Sequence, residues 1–322
     1  RRCSKLKKML EVTVALPSGR NAGRLSIPQS SKVGELKVLA QKSLGQRFAR
    51  LVTPDARVLT DPAQSLEDAG LKDGDQLTAI VGQANLASTD KAFASWCCGG
   101  DSVVTWGDAH SGGHSSAVQD QLRSVQQVQA TDGAFAAILE DGSVVTWGDP
   151  RSGGDSSAVQ NELRSAWQVQ ATKEAFAAIL EDGSVVAWGD PGSGGNSFAV
   201  RDQLRSVRQV QATSRAFAAI LEDGSVVAWG DPRSGGEVPN ELRSARHVQA
   251  TKEAWHVQAT KEAFAAILED GSVVTWGDQG SGGSSYEVRD QLRSVQQVQA
   301  TDGAFAAILE DGSVVTWGGP RS

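Results

Sequence analysis

From residue 85 onward the apolar residues fall in short runs that return at a fixed interval. In AFAAIL (134–139), Phe135, Ala137 and Leu139 alternate with Ala136 and Ile138, so an extended segment is apolar on both faces and needs covering on both. Val144 to Trp147 is likewise apolar apart from Thr146, and Asp141-Gly142 lies between the two runs. Apolar runs flanking Asp-Gly predict an antiparallel hairpin with a tight two-residue turn and positive φ at both turn positions. The stretch AFAAILEDGSVVTWGD (134–149) returns as AFAAILEDGSVVAWGD at 175–190 and 216–231, as AFAAILEDGSVVTWG at 263–277 and 304–318, and in altered form at 92–108. A catalytic constellation is normally assembled once, so six near-copies point to architecture before chemistry.

Trp106, Trp147, Trp188, Trp229, Trp276 and Trp317 are separated by 41, 41, 41, 47 and 41 residues and read as the structural anchors of the repeat. Each unit holds QVQAT or a variant, then AFAAIL, then SVVTW or SVVAW, then a Gly/Ser-rich connection. A small sheet buried on both faces at a period near 40 residues predicts a β-propeller of about six short blades, three- to four-stranded, over 85–322. A β-solenoid, the competing architecture, has shorter rungs and no repeating tight hairpin.

Three irregularities interrupt the pattern. NLASTDKAF (85–93) aligns with QVQATDGAF (127–135), which starts the first blade with little linker. HVQATKEAW (247–255) is followed at once by HVQATKEAF (256–264), a tandem duplication expected to bulge out or add a strand segment. After Trp317 the sequence reads GGPRS, so the last unit is expected to be incomplete: either the N-terminal strand closes a six-bladed ring, or the ring is an open piece of a larger one.

Residues 10–82 lie outside the repeat, behind a basic tail at 1–9. LEVTVAL (10–16) alternates like a half-buried strand, PSGR turns, and GRLSI (23–27) returns. A helix is predicted over 33–44, capped by Ser31, with Val33, Leu36, Ala40 and Leu44 on one face. Short strands around 48–52 and 57–59, then a turn and a closing strand within 65–81, complete an α+β domain with one helix on a mixed sheet.

Charge divides the chain at the same place. Residues 1–85 carry 14 Lys/Arg against 8 Asp/Glu, whereas the whole chain carries 31 against 38. The acidic repeat region repels a phosphate backbone, which disfavours nucleic acid as its partner. Cys3, Cys97 and Cys98 are too few and too irregular for a disulfide framework, and Cys97 or Cys98 is expected to be a small buried apolar group. No apolar run is long enough to span a bilayer and no signal-peptide order is present, so the expectation is a soluble intracellular protein, cytoplasmic or nuclear, without a membrane partner. The opening residue, Arg1, is what a processed or shortened product would show.

Candidate chemistry is sparse. Glu140-Asp141 and its four equivalents offer too few oxygens per hairpin tip for calcium and read as turn residues. His110 and His114 are four apart on a Gly/Ser loop that does not align them for zinc. No Walker loop, dinucleotide fingerprint or nucleophile elbow occurs, so no catalytic residue, metal or cofactor is expected.

Two resemblances follow from these residues. The segment 10–82, and LEDAGLKDGDQL (66–77) above all, resembles a ubiquitin-like β-grasp domain, with Leu66, Leu71 and Leu77 spacing a tight turn before the last strand. The resemblance places Val52 and Ile80, with Thr78 beside them, on the apolar patch through which that family binds receptors. It departs from the family at the conjugating end, where AIVGQANLA runs on with only Gly82. Residues 85–318 resemble the repeats of the regulator of chromosome condensation family, sharing the DG-V-x-x-WG hairpin. Phe135 stands where many family repeats have His, and SGG (152–154) replaces G-Q-x-G. Together these imply a non-enzymatic protein-interaction scaffold with partners in the ubiquitin system. The alternatives are the recognition part of a HERC-type ubiquitin ligase and, further off, a guanine-nucleotide exchange factor; the oligomeric state is open.

Overall fold

The computed structural model describes residues 8–45, 48, 50–59, 61–80, 84–97, 102–239, 242 and 254–319. The chain divides into two compact units, one of Arg1–Asn85 with Ser95–Val103 and Arg123–Gln126, the other of Leu86–Ala94, Val104–Leu122 and Gln127–Ser322.

In the first unit, β1 (Met9–Ala15), β2 (Asn21–Pro28), α1 (Val33–Leu44), β3 (Arg50–Val52), β4 (Val58–Leu59) and β5 (Gln76–Ile80) follow in chain order. The five strands make one sheet in the order β2-β1-β5-β3-β4, antiparallel except where β1 runs parallel to β5. Alternate strand residues Leu10, Val12 and Val14 share one buried core with Leu36, Ala40 and Leu44 of the helix and with Leu66, Leu71 and Leu77. Each such leucine contributes roughly 1.5–3 kcal/mol when buried. The expected cap, Ser31, is not the one used. Lys32 occupies the cap position, and its N–H donates to the Glu35 carboxylate at 3.2 Å, because Glu35 stands three residues after Lys32 and can reach back. Ser31 instead gives its carbonyl to the Leu66 N–H at 2.8 Å.

The remaining strands form six three-stranded antiparallel sheets, all built alike. They are β6 (Ala84–Ser88), β7 (Ala92–Cys97) and β8 (Val103–Gly107); β9 (Val125–Ala130), β10 (Ala134–Leu139) and β11 (Val144–Gly148); β12 (Ala166–Ala171), β13 (Ala175–Leu180) and β14 (Val185–Gly189). Next come β15 (Val207–Ala212), β16 (Ala216–Leu221) and β17 (Val226–Gly230); β18 (Ala254–Ala259), β19 (Ala263–Leu268) and β20 (Val273–Gly277); β21 (Val295–Ala300), β22 (Ala304–Leu309) and β23 (Val314–Gly318).

The two-faced apolar pattern is used as the physics requires. Ala134, Ala136, Ile138 and Val144 of one sheet bury against Val169, Phe176, Ala178, Val186 and Trp188 of the next. The same contact joins Ala175, Ala177 and Ile179 to Phe217 and Trp229, and Ala263, Ala265 and Ile267 to Phe305 and Trp317. Within each hairpin the register sets Phe opposite Trp, as at Phe135–Trp147, and the rings stack with centroids 5.1 Å apart.

The connection completes the anchor. The Trp188 indole N–H donates to the Gly153 carbonyl at 3.0 Å, and Trp147, Trp229, Trp276 and Trp317 reach Gly112, Gly194, Gly235 and Gly282 in the same way. Gly153 has φ +89, and a Cβ there would stand 2.6 Å from the Phe176 ring, so this position of SGG admits only glycine.

Three sequence expectations change, and a fourth falls outside the described residues. The hairpin turn is not the two-residue form, because Asp141 is absent from the residues with positive φ and Gly142 alone has it, at 77°. The Leu139 N–H donates to the Ser143 carbonyl and the Gly142 N–H to the Leu139 carbonyl, which makes a three-residue loop closed by a left-handed glycine. The last unit is complete: its QVQAT segment is β21, which pairs with β22, and the N-terminal strand β6 pairs with β7 rather than closing on β23. The strand β18 spans the junction of the duplicated nonapeptide, Ala254 and Trp255 from the first copy and His256–Ala259 from the second, with Ala254 opposite Leu268 as Ala166 is opposite Leu180; the bulge or added segment expected of residues 247–253 lies outside the described residues. Finally, Trp106 is 45% exposed where Trp147 is 5% exposed, although it stacks on Phe93 at 5.4 Å. No SGG connection precedes Trp106 in the sequence, so among the described residues nothing plays the part that Gly112 plays for Trp147.

Truncating the two tryptophans separates these environments. Trp147→Ala should lower the unfolding free energy by ~3–5 kcal/mol, and Trp106→Ala by less than half as much, read from urea denaturation. Equal losses would contradict the packing described.

Candidate protein-interaction surfaces

Strand alternation sets one candidate surface. Because Leu51, Leu77 and Ala79 take the buried face of the five-stranded sheet, their neighbours Arg50, Val52, Thr78 and Ile80 take the other. Pairing brings these together: Val52 stands opposite Thr78 and Arg50 opposite Ile80, while Ala15 of β1 flanks Thr78 and Val58 of β4 flanks Val52. Side chains directly opposite one another in a ladder sit about 4.5–5.5 Å apart at Cβ, so these form one continuous strip. Ile80 is 40% exposed, and Val52 and Thr78 are half-buried.

The repeat region offers a second kind of surface, and the sequence reading missed it. Its copies are so alike that the positions where they differ stand out, and these cluster on loops. Between the first and second strands of each sheet the variable residue is Asp90, Asp132, Lys173, Ser214, Lys261 and Asp302 in turn. Each backbone N–H in this row up to Lys261 donates to the carbonyl of the next member, at 3.1, 2.8, 3.0, 2.6 and 3.0 Å, so the side chains are held in a line. Lys261 pairs with Asp302 at 2.6 Å. A depression of about 380 Å³ opens beside Ser214, Lys261 and Asp302. Burial, then the charge of Asp90, pushes the Asp132 carboxyl up from its ordinary value, against the pull of Lys173. In the connections, Phe198 and Tyr286 occupy one repeat position, each four-fifths exposed, where Ser116 and Ser157 stand in two other copies. Comparing the copies with one another would have found them.

The acidic hairpin tips serve the turn. Asp141 accepts from the Ser143 N–H at 2.9 Å and its hydroxyl at 2.6 Å, and Asp182, Asp223, Asp270 and Asp311 repeat this. The serine hydroxyl first, then its N–H, holds the carboxyls of Asp141, Asp182 and Asp311 below the ordinary value. His110 and His114 are exposed around the buried Gly112-Gly113, and among the described residues no three His, Cys, Asp or Glu side chains stand together as metal ligands would. Cys97 is half-buried, because alternation gives the covered side of β7 to Ala94 and Trp96; Cys3 and Cys98 lie outside the described residues, and with Cys98 the expectation that one thiol of the pair is buried. No helix of the described residues is long and apolar enough to cross a membrane.

No protein-family model matches the chain. No curated protein matches it either. Among solved structures it is similar to yeast RCC1 (Prp20) crystallised with Kap60, at 16% identity over 73% of this chain and 69% of that one, with a TM-score of 0.44. It is also similar to human WBSCR16, at 14% identity over 82% of each chain, TM-score 0.45. A third is the CRINKLY WD40 ectodomain of the Arabidopsis thaliana receptor kinase ACR4, at 16% identity over 74% of this chain and 81% of that one, TM-score 0.40.

Two kinds of aspartate predict opposite pH responses. A lowered folded value means that Asp141, Asp182 and Asp311 add stability that is complete above about pH 4 and is lost as pH falls through the folded value. Replacing all three with Asn should flatten the acid limb of a denaturant-midpoint titration. Asp132, with its raised value, favours the fold while protonated and loses that contribution as pH rises through the folded value. Asp132→Asn should therefore raise the midpoint at neutral pH relative to the parent, and a lower midpoint would contradict the burial described.

Proposed function

We propose that the chain is a non-enzymatic protein-interaction scaffold in which a ubiquitin-like β-grasp module, 10–82, is joined to chromosome-condensation-regulator-type propeller repeats, 85–322, and that its partners belong to the ubiquitin system. The observation that carries this reading is the strip formed by Val52, Thr78 and Ile80 on the solvent face of the five-stranded sheet. Strand order β2-β1-β5-β3-β4, a parallel β1–β5 pair and one helix on the opposite face support the β-grasp assignment. An apolar strip edged by Arg50 suits a partner helix that presents an aliphatic residue beside an acidic one, with affinity set by burial of Ile80 and Val52. The variable row and the exposed Phe198 and Tyr286 give the repeats a separate contact surface, so the two halves would hold different proteins.

Capture of ubiquitin-binding helices by the immobilised full chain tests the reading. Ile80→Glu with Val52→Glu should abolish capture, while Ile80→Glu alone shifts unfolding by no more than ~0.5 kcal/mol, as surface changes do. Identical capture by the parent and the double variant, or none by either, would remove the ubiquitin-system assignment.

A further inference from the structure

Each sheet from the second to the fifth uses both faces, one against the sheet before and one against the sheet after. At the first and last sheets the two halves of that contact are exposed among the described residues. The last sheet carries Ala304, Ala306, Ile308 and Val314 where the fifth carries Ala263, Ala265, Ile267 and Val273. The fifth set is buried, whereas Ile308 is 40% and Val314 62% exposed. The first sheet carries Leu86, Phe93, Val104 and Trp106 where the second carries Val128, Phe135, Val145 and Trp147. Again the second set is buried, and the first set is between 41% and 61% exposed.

Polar groups end in matching fashion. The row of backbone hydrogen bonds stops with the Asp302 N–H at one end and the Asp90 carbonyl at the other, neither bonded within the described chain. The hairpin glycines Gly142, Gly183 and Gly271 each abut a serine of the next repeat and accept from the residue after it, while Gly312 has nothing within 4 Å of its Cβ position. The molecule thus presents a knob face that ends in the Asp90 carbonyl and a socket face that ends in the Asp302 N–H, and their contact is one it already makes between its own successive sheets.

We propose that a second copy of this chain covers these faces: the Phe93–Trp106 face of one copy docks on the Ile308–Val314 face of another, head to tail. The contact is heterologous, since the two faces differ. It continues the interface between neighbouring sheets, with the Asp302 N–H of one copy donating to the Asp90 carbonyl of the next. That register sets two aspartates side by side, so repulsion weakens the contact where Lys261 beside Asp302 strengthens the internal one.

Sedimentation velocity of the full chain over a concentration series tests this. The parent should gain mass with concentration. A first-face block, Phe93→Glu with Trp106→Glu, and a last-face block, Ile308→Glu with Val314→Glu, should each be monomeric, with association weakened at least ~100-fold by a buried unpaired charge. Mixed in equal amounts, the two blocked chains still own one intact face each and should form a dimer and nothing larger. Asp90→Lys should tighten association of the parent severalfold. Leu86→Lys, which leaves the aromatic pair in place, gives a second first-face block should the double variant not fold. A parent that stays monomeric up to about 100 µM, a blocked chain that still self-associates, or a mixture that stays monomeric would each overturn the proposal; at that concentration a micromolar contact would be nearly saturated.

Discussion

The contact on which the repeat region depends is made across the boundary between repeats. From the second sheet to the sixth, a tryptophan closes the hairpin by stacking on its own phenylalanine, and its indole N–H then reaches back to a glycine carbonyl in the connection just before its sheet. The aromatic pair fills the space so closely that the connection must pass as bare backbone: a Cβ on Gly112, Gly153, Gly194, Gly235 or Gly282 would lie under 3 Å from a phenylalanine ring. The second glycine of SGG meets the backbone of the Trp-Gly glycine, as Gly154 meets Gly148, and Gly148 in turn meets Gly133 and Ala134. Trp-Gly and Ser-Gly-Gly are therefore one device, written in two places and closed only when neighbouring repeats meet.

Everything else in the repeat follows from that closure. Alanines at 134, 136, 137, 175, 177 and 178 keep both faces of the central strand shallow enough for the next sheet to seat its phenylalanine and tryptophan. Backbone bonds at two levels, through the Asp132–Lys173 row and through Gly142 and Ala166, fix the stagger of one sheet on the next. With the core so fully determined, variation between copies falls mainly on loops and on the exposed positions of the first strand, such as Gln126, Trp167, Arg208 and Gln296, and these carry the charges and exposed aromatics available to partners.

Much of this was legible because the sequence repeats itself. Periodicity located all six hairpins, and alternation assigned Leu51, Leu77 and Ala79 to the core face opposite Val52 and Ile80. What escaped was decided by contacts between segments or by loop length. Asp-Gly suits both a two-residue turn and the last two positions of a three-residue one, and Glu140 joined the loop because the Ser143 carbonyl pairs with Leu139. Ser31 and Lys32 could each precede the helix, and the choice fell to the residue with an acid three places on. Trp106 carries the same local sequence as its equivalents, yet its exposure depends on what stands before it, which no single repeat encodes. The last unit looked incomplete because the repeat had been cut at Trp-Gly rather than at QVQAT, the strand that opens each sheet.

Gly194→Ala tests the central claim most directly, since Gly194 lies on the surface-facing connection of an interior repeat yet receives the Trp229 indole and faces the Phe217 ring. Forcing a side chain to a positive φ costs about 1–3 kcal/mol and overpacking a filled site about 1–3 more, so the account predicts a loss of roughly 2–6 kcal/mol in urea denaturation, together with a change in Trp fluorescence. A denaturation curve indistinguishable from that of the parent would contradict it.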